Sequence, residues 1–408
     1  MPIPVKGLII SWRALALSLV LSLVVGVSGF GELPDRLIAM ATSRVAYRDV
    51  SGDIVVIGID DRTLAESRNG EFSRSNHARL IRAVDRADAK RLFIDFSYER
   101  PDDAGRLGEV SAAVRNMGDR VVLAVPTRSV PGVDRLVTAF PDASFGDSAT
   151  RASIAWEYQF WQVWDVPLMY RADGKLLPSF AAVMANKSAS APSQFRIDFS
   201  YRTDSIRQYS AIDVINGTIG TKELAGKEVI FAPTASRLDD RHYLPGHDIV
   251  PGAYIHLIAA ETLRRGDPMN LGWLPPLGFS LILTLALLSR RSSRWFSLFA
   301  MTMAVVVIAS QLLLATQLVT VSTGTALFFL LAVASNVSRT SRRRSAQREN
   351  PLSGLPNFEA LRSQESFGSA TVVAAKVVNF EDLAAFIPGD GIGKLVEQVT
   401  RRLQLASQ

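Results

Sequence analysis

Residues 53–61 read DIVVIGIDD, an unbroken apolar run that ends in two carboxylates. Such a run predicts a strand buried on both faces, as in a parallel sheet. Apolar residues at helical spacing follow over 77–87, and RLFID at 91–95 predicts a second strand. A helical pattern over 107–117 then leads into RVVLAV at 120–125. This alternation predicts an α/β domain with right-handed crossovers, a mainly parallel sheet and flanking helices.

The second half of this domain has a more mixed pattern. It predicts further strands at 152–158, 167–170, 195–201 and 227–232, and helices at 178–186 and 253–265. The helix over 253–265 is expected to lead directly into an apolar segment. No G-x-G-x-x-G or Walker loop follows any strand, so the phosphate-binding loops of nucleotide sites are not expected.

Four apolar segments have the length of membrane-spanning helices. They cover residues 8–30, 271–288, 295–315 and 318–337. A bilayer core about 30 Å thick needs roughly 20 such residues in a helix. A short polar turn at 316–317 separates the last two, which predicts a membrane hairpin. The sequence therefore predicts one membrane helix before the α/β domain and three after it.

The positive charge lies beside these segments. The net charge is +6, and it becomes −2 without the eight arginines of two short stretches, 290–294 and 339–348. By the positive-inside rule, the N-terminus and residues 338–408 lie inside and residues 31–270 lie outside. A nucleic-acid partner is not expected, because binding one requires a basic folded face. Two alternatives remain: the first segment is a cleaved signal peptide, and the later ones are buried core helices.

Six polar residues are candidate ligand contacts at one edge of the sheet. Asp60, Asp61 and Asp95 follow two predicted strands, and Asp239, Asp240 and His242 follow a third. Ligands of open α/β sheets bind outside the carboxyl ends of the strands. Carboxylates there suit a cation or the amine of a small ligand. The alternative is that these residues cap helices and fix turns.

The residue inventory excludes several other kinds of site. There is no cysteine, which removes disulfides, thiol nucleophiles and cysteine-ligated metals. The four histidines form no H-x-x-x-H or H-E-x-x-H pair, so a zinc site is not expected. We expect neither a bound metal nor a cofactor.

Residues 31–270 resemble a type-two CHASE domain. The resemblance rests on the order of IVVIGIDD, RLFIDF, RVVLAVP, LAGKEVIFAPTASRLDD and YLPGHDIVPGAYIHLIAAETLRRG. Such domains are extracytoplasmic sensors of bacterial receptors, with one membrane helix before them and three after. The resemblance implies a sensor role and names no ligand.

Residues 350–408, after a basic linker at 338–349, resemble the first third of a GGDEF domain, the diguanylate cyclase module. NPLSGLPNFEAL at 350–361 resembles the family's entry, with Asn350 in place of the usual aspartate and Phe358 in place of the usual arginine, and Asn357 keeps a nucleotide-site position. Lys376 stands where the family has a magnesium-binding aspartate, and lysine does not ligate magnesium. We therefore expect no catalysis from this chain, and cyclase or phosphodiesterase activity only if the native chain is longer.

Together these features predict a bacterial inner-membrane receptor. Its segments would be an anchor (1–30), a periplasmic sensor (31–270), three membrane helices (271–337), a linker (338–349) and a partial cytoplasmic α/β unit (350–408). We expect a small, unidentified extracytoplasmic ligand, a homodimer, and a cyclic-di-GMP-type output with a cytoplasmic signalling partner. The alternatives are a fragment of a larger cyclase or phosphodiesterase, and a membrane scaffold without a ligand.

Overall fold

The computed structural model describes most of the chain. The described residues are 11–43, 47–99, 104–128, 137–147, 149–159, 161–287, 293–348, 357, 378–379, 382, 385–387 and 391–406. They divide into two compact units. The sheet unit comprises Gly29–Pro276 and Val307–Gly324, and the helical unit comprises Met1–Ser28, Leu277–Val306 and Thr325–Gln408.

All the strands among the described residues belong to the sheet unit. In chain order they are β1 (Ile54–Ile59), β2 (Arg91–Ile94), β3 (Val121–Val125), β4 (Thr127–Arg128), β5 (Val137–Thr138), β6 (Thr150–Ser153), β7 (Glu157–Gln159), β8 (Gln162–Ala172), β9 (Lys175–Pro178), β10 (Ser193–Arg196), β11 (Gln208–Ser210), β12 (Glu228–Pro233), β13 (Arg241–Tyr243), β14 (Ile249–Pro251), β15 (Met269–Gly272) and β16 (Val319–Val321).

The α-helices occur in both units. In chain order they are α1 (Trp12–Val27), α2 (Glu32–Ser43), α3 (Asp61–Glu66), α4 (Arg74–Arg86), α5 (Ala104–Met117), α6 (Phe180–Met184), α7 (Ala211–Ile215), α8 (Gly252–Arg265), α9 (Leu274–Leu287), α10 (Ser293–Ala315), α11 (Gly324–Arg348) and α12 (Gly391–Ala406).

A six-stranded parallel sheet forms the centre of the sheet unit, in the order β11-β1-β12-β2-β3-β6. This confirms the predicted mixed α/β fold with a parallel sheet and flanking helices. Every residue of β1 is buried, because helices cover both faces. Alternate residues face opposite sides: Val55 and Ile57 pack with α4, α5 and α7, whereas Ile54 and Val56 pack with α6 and α8.

A second sheet has the order β10-β8-β13-β14, with β7 and β9 also paired to β8. The predicted strand over 195–201 continues only to Arg196. The Asp198 carboxylate accepts hydrogen bonds from Ser200 N (3.1 Å) and Ser200 Oγ (2.6 Å). These local bonds turn the backbone away from the ladder.

A short strand pair lies beyond the end of α8, where the sequence predicted a direct passage into an apolar segment. β15 pairs in parallel with β16, with Met269 opposite Val319. The Met269 N–H also donates to the Leu318 carbonyl over 2.9 Å. Helix α11 consequently begins at Gly324, so the prediction of a helix from Leu318 was wrong at its start.

Helices form in each of the four apolar segments. Among the described residues, Leu298–Ala315 is long and apolar enough to span a membrane, and α1 with Glu32–Ala41 would make a second span bent by 67°. Helix α9 is apolar but shorter, and the number of membrane crossings stays a prediction.

The C-terminal part of the chain is described only in places. Gly391–Ala406 form helix α12. Asn357 donates its backbone N–H to Arg348 O (2.7 Å) and its side-chain amide to Gln347 O (2.6 Å), both at the end of α11. Lys376 lies outside the described residues.

Candidate functional site

The carboxyl edge of the parallel sheet brings three of the predicted residues together. Asp95 directly follows β2, and its N–H donates to Phe231 O of β12 over 2.9 Å. Because strand side chains alternate, Asp95 lies on the same face as Phe93, which is the face covered by α8. Asp240 and His242 arrive from the loop after β12 and from β13.

Helix α8 adds His256, which sequence reasoning missed. His256 Nε2 lies 3.9 Å from Asp95 Oδ2, and its side chain is fully buried. Its ring lies 5.0 Å from the Trp156 ring and 5.2 Å from the Phe180 ring, measured between centroids. We call Asp95, Asp240, His242 and His256 the edge cluster.

His242 connects the edge cluster to the surface. Its Nε2 lies 2.8 Å from Asp240 Oδ1, and its Nδ1 is within hydrogen-bond distance of the Tyr158 hydroxyl. These two contacts orient the His242 ring between Asp240 and Tyr158. Tyr158, at the rim of the edge cluster, is 53 % exposed, whereas the side chain of Asp95 is only 6 % exposed. The cluster therefore extends from the solvent-exposed surface into the protein interior.

The interior of the edge cluster lacks hydrogen bonds. Asp240 Oδ2 and both ring nitrogens of His256 are buried without a hydrogen-bond partner. Buried polar groups in native proteins are almost always paired, and an unpaired one costs about 1–3 kcal/mol. Such a concentration of unmet polar groups at a sheet edge marks a candidate binding site.

Burial controls the charge in this interior. It lowers the pKa of His256 to about 4, although the negative charge of Asp240 opposes the shift. It also raises the pKa of Asp95 well above the usual range, and repulsion from Asp240 raises that pKa further. At neutral pH the imidazole is therefore uncharged, and the two carboxyl groups resist carrying two negative charges together.

A close backbone approach supports the geometry at Asp240. A Cβ atom added to Gly252, the first residue of α8, would lie 2.6 Å from Asp240 Oδ1. Only glycine leaves room for the carboxylate there.

The sequence signal for His256 was local: it is a titratable residue in the middle of the apolar helix YIHLIAAETL.

The other predicted residues have different partners. Asp60 Oδ1 accepts from Thr63 N (2.8 Å) and thereby caps α3, and Ser210 donates to its Oδ2. Asp61 accepts from Ser236 N over 3.2 Å, and its hydrogen bonds to Ser236 lower its pKa. Asp239 is exposed. Capping and turn formation, the alternative reading, thus describe Asp60 and Asp61.

The edge cluster is not arranged as a metal site. Within the part of the chain that the structure describes, no group of three or more His, Asp or Glu residues has a metal-holding arrangement. The cluster instead offers oxygen and nitrogen acceptors in a dry interior, which suits a hydrogen-bond donor with positive charge.

Helix α8 connects the edge cluster with the β15–β16 pair. Arg265, its last residue, donates to Asp198 Oδ2 over 2.5 Å and also to the backbone carbonyl of Thr316. Helix α8 thus contacts, through Arg265, the segment between α10 and β16.

The fold and the edge cluster define an α/β domain with a candidate binding site at the carboxyl edge of its sheet. The profile of the CHASE2 domain family matches residues 15–290, and the chain belongs to this family. CHASE2 domains are extracytoplasmic sensor domains used in signal transduction. The resemblance found for residues 31–270 is thus confirmed, and the match extends into α1 and α9. No curated protein and no solved structure matches the chain.

Proposed function

We propose that the chain is a bacterial inner-membrane receptor that binds a small primary ammonium compound at the edge cluster. The observation that carries the proposal is the set of unpaired acceptors on Asp240 and His256 beside Asp95. An ammonium group brings three N–H donors and one positive charge. It would pair these acceptors and remove the repulsion between the two carboxyl groups.

The rim of the edge cluster supports an entry route. The unpaired atoms are closed to solvent, so an ammonium group must first displace His242 from Asp240. Tyr158 and Trp156 flank this contact, and aromatic rings attract cations electrostatically. Binding would exchange the His242–Asp240 hydrogen bond for a charged one.

Signal transmission would follow from differential binding. A ligand shifts a conformational equilibrium only by its difference in affinity between the two states. Displacing His242 and occupying the space beside His256 would favour one position of α8. Its contacts from Arg265 to Asp198 and Thr316 would pass this change to the β15–β16 pair.

Thermal unfolding of the full chain in detergent tests the ligand. We expect n-butylammonium at neutral pH to raise the melting temperature and n-butanol, which lacks the charge, to leave it unchanged. Asp240→Asn should abolish the shift, whereas Asp61→Asn, a carboxylate with other partners, should retain it. An equal response to n-butanol, or an unchanged response in Asp240→Asn, contradicts the proposal. If a change of pH without any amine produces the same rise in melting temperature, the ligand is the proton.

The proposed topology places residues 31–270 in the periplasm and both termini in the cytoplasm, with four membrane crossings. The absence of cysteine makes single-cysteine labelling clean. Arg68 and Gln347 both have exposed side chains. In intact spheroplasts, a membrane-impermeant maleimide should label the Arg68→Cys protein and not the Gln347→Cys protein until the membrane is opened. The reverse pattern contradicts the topology.

The proposed output is of the cyclic-di-GMP type, exerted by a homodimer through a cytoplasmic signalling partner. The GGDEF-like residues 350–361 support it. An immunoblot of native membranes against residues 31–270 tests whether the receptor ends near 44.5 kDa. A much larger band would direct the search to a cyclase or phosphodiesterase in the additional part. Cross-linking in membranes tests the dimer.

A further inference from the structure

The sheet unit contains a cavity of about 110 Å³ that is separate from the edge cluster. Its walls include Ala39 of α2, Phe199, and Leu312, Leu318 and Val321 of the segment around β16. None of the four edge-cluster residues lines it. An engineered apolar cavity of about 150 Å³ admits benzene, so this space suits a chain of roughly four to six carbons.

Two arginines line the same cavity and have donors to spare. Arg48 donates Nε–H to Ser200 Oγ (2.9 Å), and its carboxylate neighbour, Asp198, lies 3.8 Å away. Arg196 binds Asp165 through Nε (2.7 Å) and Nη2 (3.2 Å), which leaves Nη1. Their side chains are 34 % and 24 % exposed, so both guanidinium groups are accessible.

The two acidic residues of the cavity wall differ in their partners. Asp198 accepts from Arg265 over 2.5 Å, a closer contact than its 3.8 Å approach to Arg48. Asp35 Oδ1 accepts from the backbone N–H groups of Thr323 (2.6 Å) and Gly324 (2.9 Å) at the start of α11. Asp35 Oδ2 is buried without a hydrogen-bond partner. The incompletely paired positive charge at the cavity is the Arg48 guanidinium, 3.8 Å from Asp198.

We propose that this cavity binds a short-chain carboxylate. The carboxylate would bind Arg48, with Arg196 beside it, and the apolar chain would fill the space between α2 and the β16 segment. A planar guanidinium recognises a carboxylate through paired hydrogen bonds. Tyr201 and Trp164 lie 5.7 Å and 5.2 Å from the two guanidinium carbons and hold them in place. This second site does not depend on the proposed amine site.

The site lies at a mechanically relevant position. Asp198 and Thr316, the two partners of Arg265, both line the cavity. A bound carboxylate would therefore lie beside Asp198 and Thr316, which bind Arg265 at the end of α8. Its occupancy would tune how firmly α8 is held, independently of the edge cluster.

Calorimetric titration of the full chain, delipidated in detergent, with sodium hexanoate tests the proposal. We expect binding at least tenfold tighter than that of hexanol, which lacks the charge, and of acetate, which lacks the chain. Arg48→Gln should weaken hexanoate binding at least tenfold, and Arg68→Gln, at an exposed arginine that does not line the cavity, should leave it unchanged. Ala39→Leu, which fills the cavity, should also weaken it at least tenfold.

Each outcome decides the question. No binding of hexanoate, equal binding of hexanol, or undiminished binding in Ala39→Leu overturns the proposal. If Arg48→Gln fails to fold, the three probes and the Ala39→Leu protein still give the answer. Native mass spectrometry before delipidation separates the two sources of the carboxylate: a free acid appears as a small added mass, and a lipid as a large one.

Discussion

His77 and His256 are both buried, on opposite faces of one parallel sheet, and they differ in their partners. His77 Nδ1 lies 2.7 Å from the Tyr98 hydroxyl, and its ring packs 4.8 Å from Phe96 and 5.0 Å from Phe231. His256 has no hydrogen bond at either ring nitrogen.

This difference distinguishes a buried polar side chain that stabilises the fold from one that is available to bind a ligand. Burial lowers both pKa values, to about 3 for His77 and about 4 for His256, so both rings are neutral at neutral pH. Charge state therefore does not distinguish them. The hydrogen-bonded His77 contributes to folding, whereas His256, whose ring nitrogens have no hydrogen-bond partner, is available to a ligand.

The largest expected effect concerns the aromatic packing around His77. Phe231 is fully buried on that face. Phe231→Ala should lower the free energy of unfolding by about 3–5 kcal/mol, through lost burial and the cavity left behind. Tyr158→Ala, at the exposed rim of the other face, is the matched control and should cost under about 1 kcal/mol. Chemical denaturation of the full chain in detergent measures both, and similar losses would abolish the distinction between the faces.

Acid should destabilise the protein through both histidines. Their folded-state pKa values lie below the unfolded value of 6.5, so their contribution is complete above pH 6.5 and is lost as pH falls. His256→Leu should remove roughly 3 kcal/mol of the loss between pH 6.5 and 4, at about 1.4 kcal/mol per pH unit. Denaturation curves at several pH values measure this slope.

Asp95 provides the control for that slope, because its pKa shift has the opposite sign. Its pKa is raised on folding, so its contribution is complete below pH 3.8 and is lost as pH rises. Asp95→Asn should therefore make the acid-induced loss of stability steeper. A shallower slope in Asp95→Asn would show that this carboxyl group is ionised in the folded protein.

A smaller effect contrasts the two histidine environments directly at pH 7. Tyr98→Phe removes the partner of His77 and leaves a buried nitrogen unpaired, which should cost about 1–3 kcal/mol. His256→Leu removes unpaired groups and should be neutral or stabilising. Melting temperatures of the two variants check the signs, and a large loss in His256→Leu would mean that this histidine has a structural partner after all.

The smallest effect tests the role of Asp60. Its carboxylate caps α3 through Thr63 N, so Asp60→Ala should cost about 1 kcal/mol, and Asp60→Asn much less. Neither should change the response to n-butylammonium. Loss of that response in the folded Asp60→Asn protein would return Asp60 to the binding site.

Much of the fold was predictable because its signals are local. The apolar run of β1 and the helical spacing of α4 are each visible within a short stretch of sequence. The convergence of Asp95 with Asp240 followed from a general rule about parallel sheets. His256 was not predictable in this way, because its position depends on how α8 packs across the sheet. The capping of α3 by Asp60 was visible only as an alternative.

Non-local pairing explains the remaining differences. Met269 and Val319, which pair between β15 and β16, are about fifty residues apart in the chain, and strands of four and three residues carry no periodic signal of their own. The side-chain bonds from Asp198 to Ser200 similarly ended β10 earlier than its alternating pattern predicted.

The β15–β16 pair has a consequence for building hybrid receptors. A chimera joined at Pro276 would take the two strands from different parents and mismatch Met269 against the residue replacing Val319. The sheet unit also includes Val307–Gly324, which lies beyond that junction. A transplantable cassette therefore consists of two pieces of chain, Gly29–Pro276 and Val307–Gly324, and the second piece begins inside α10 and ends at the start of α11.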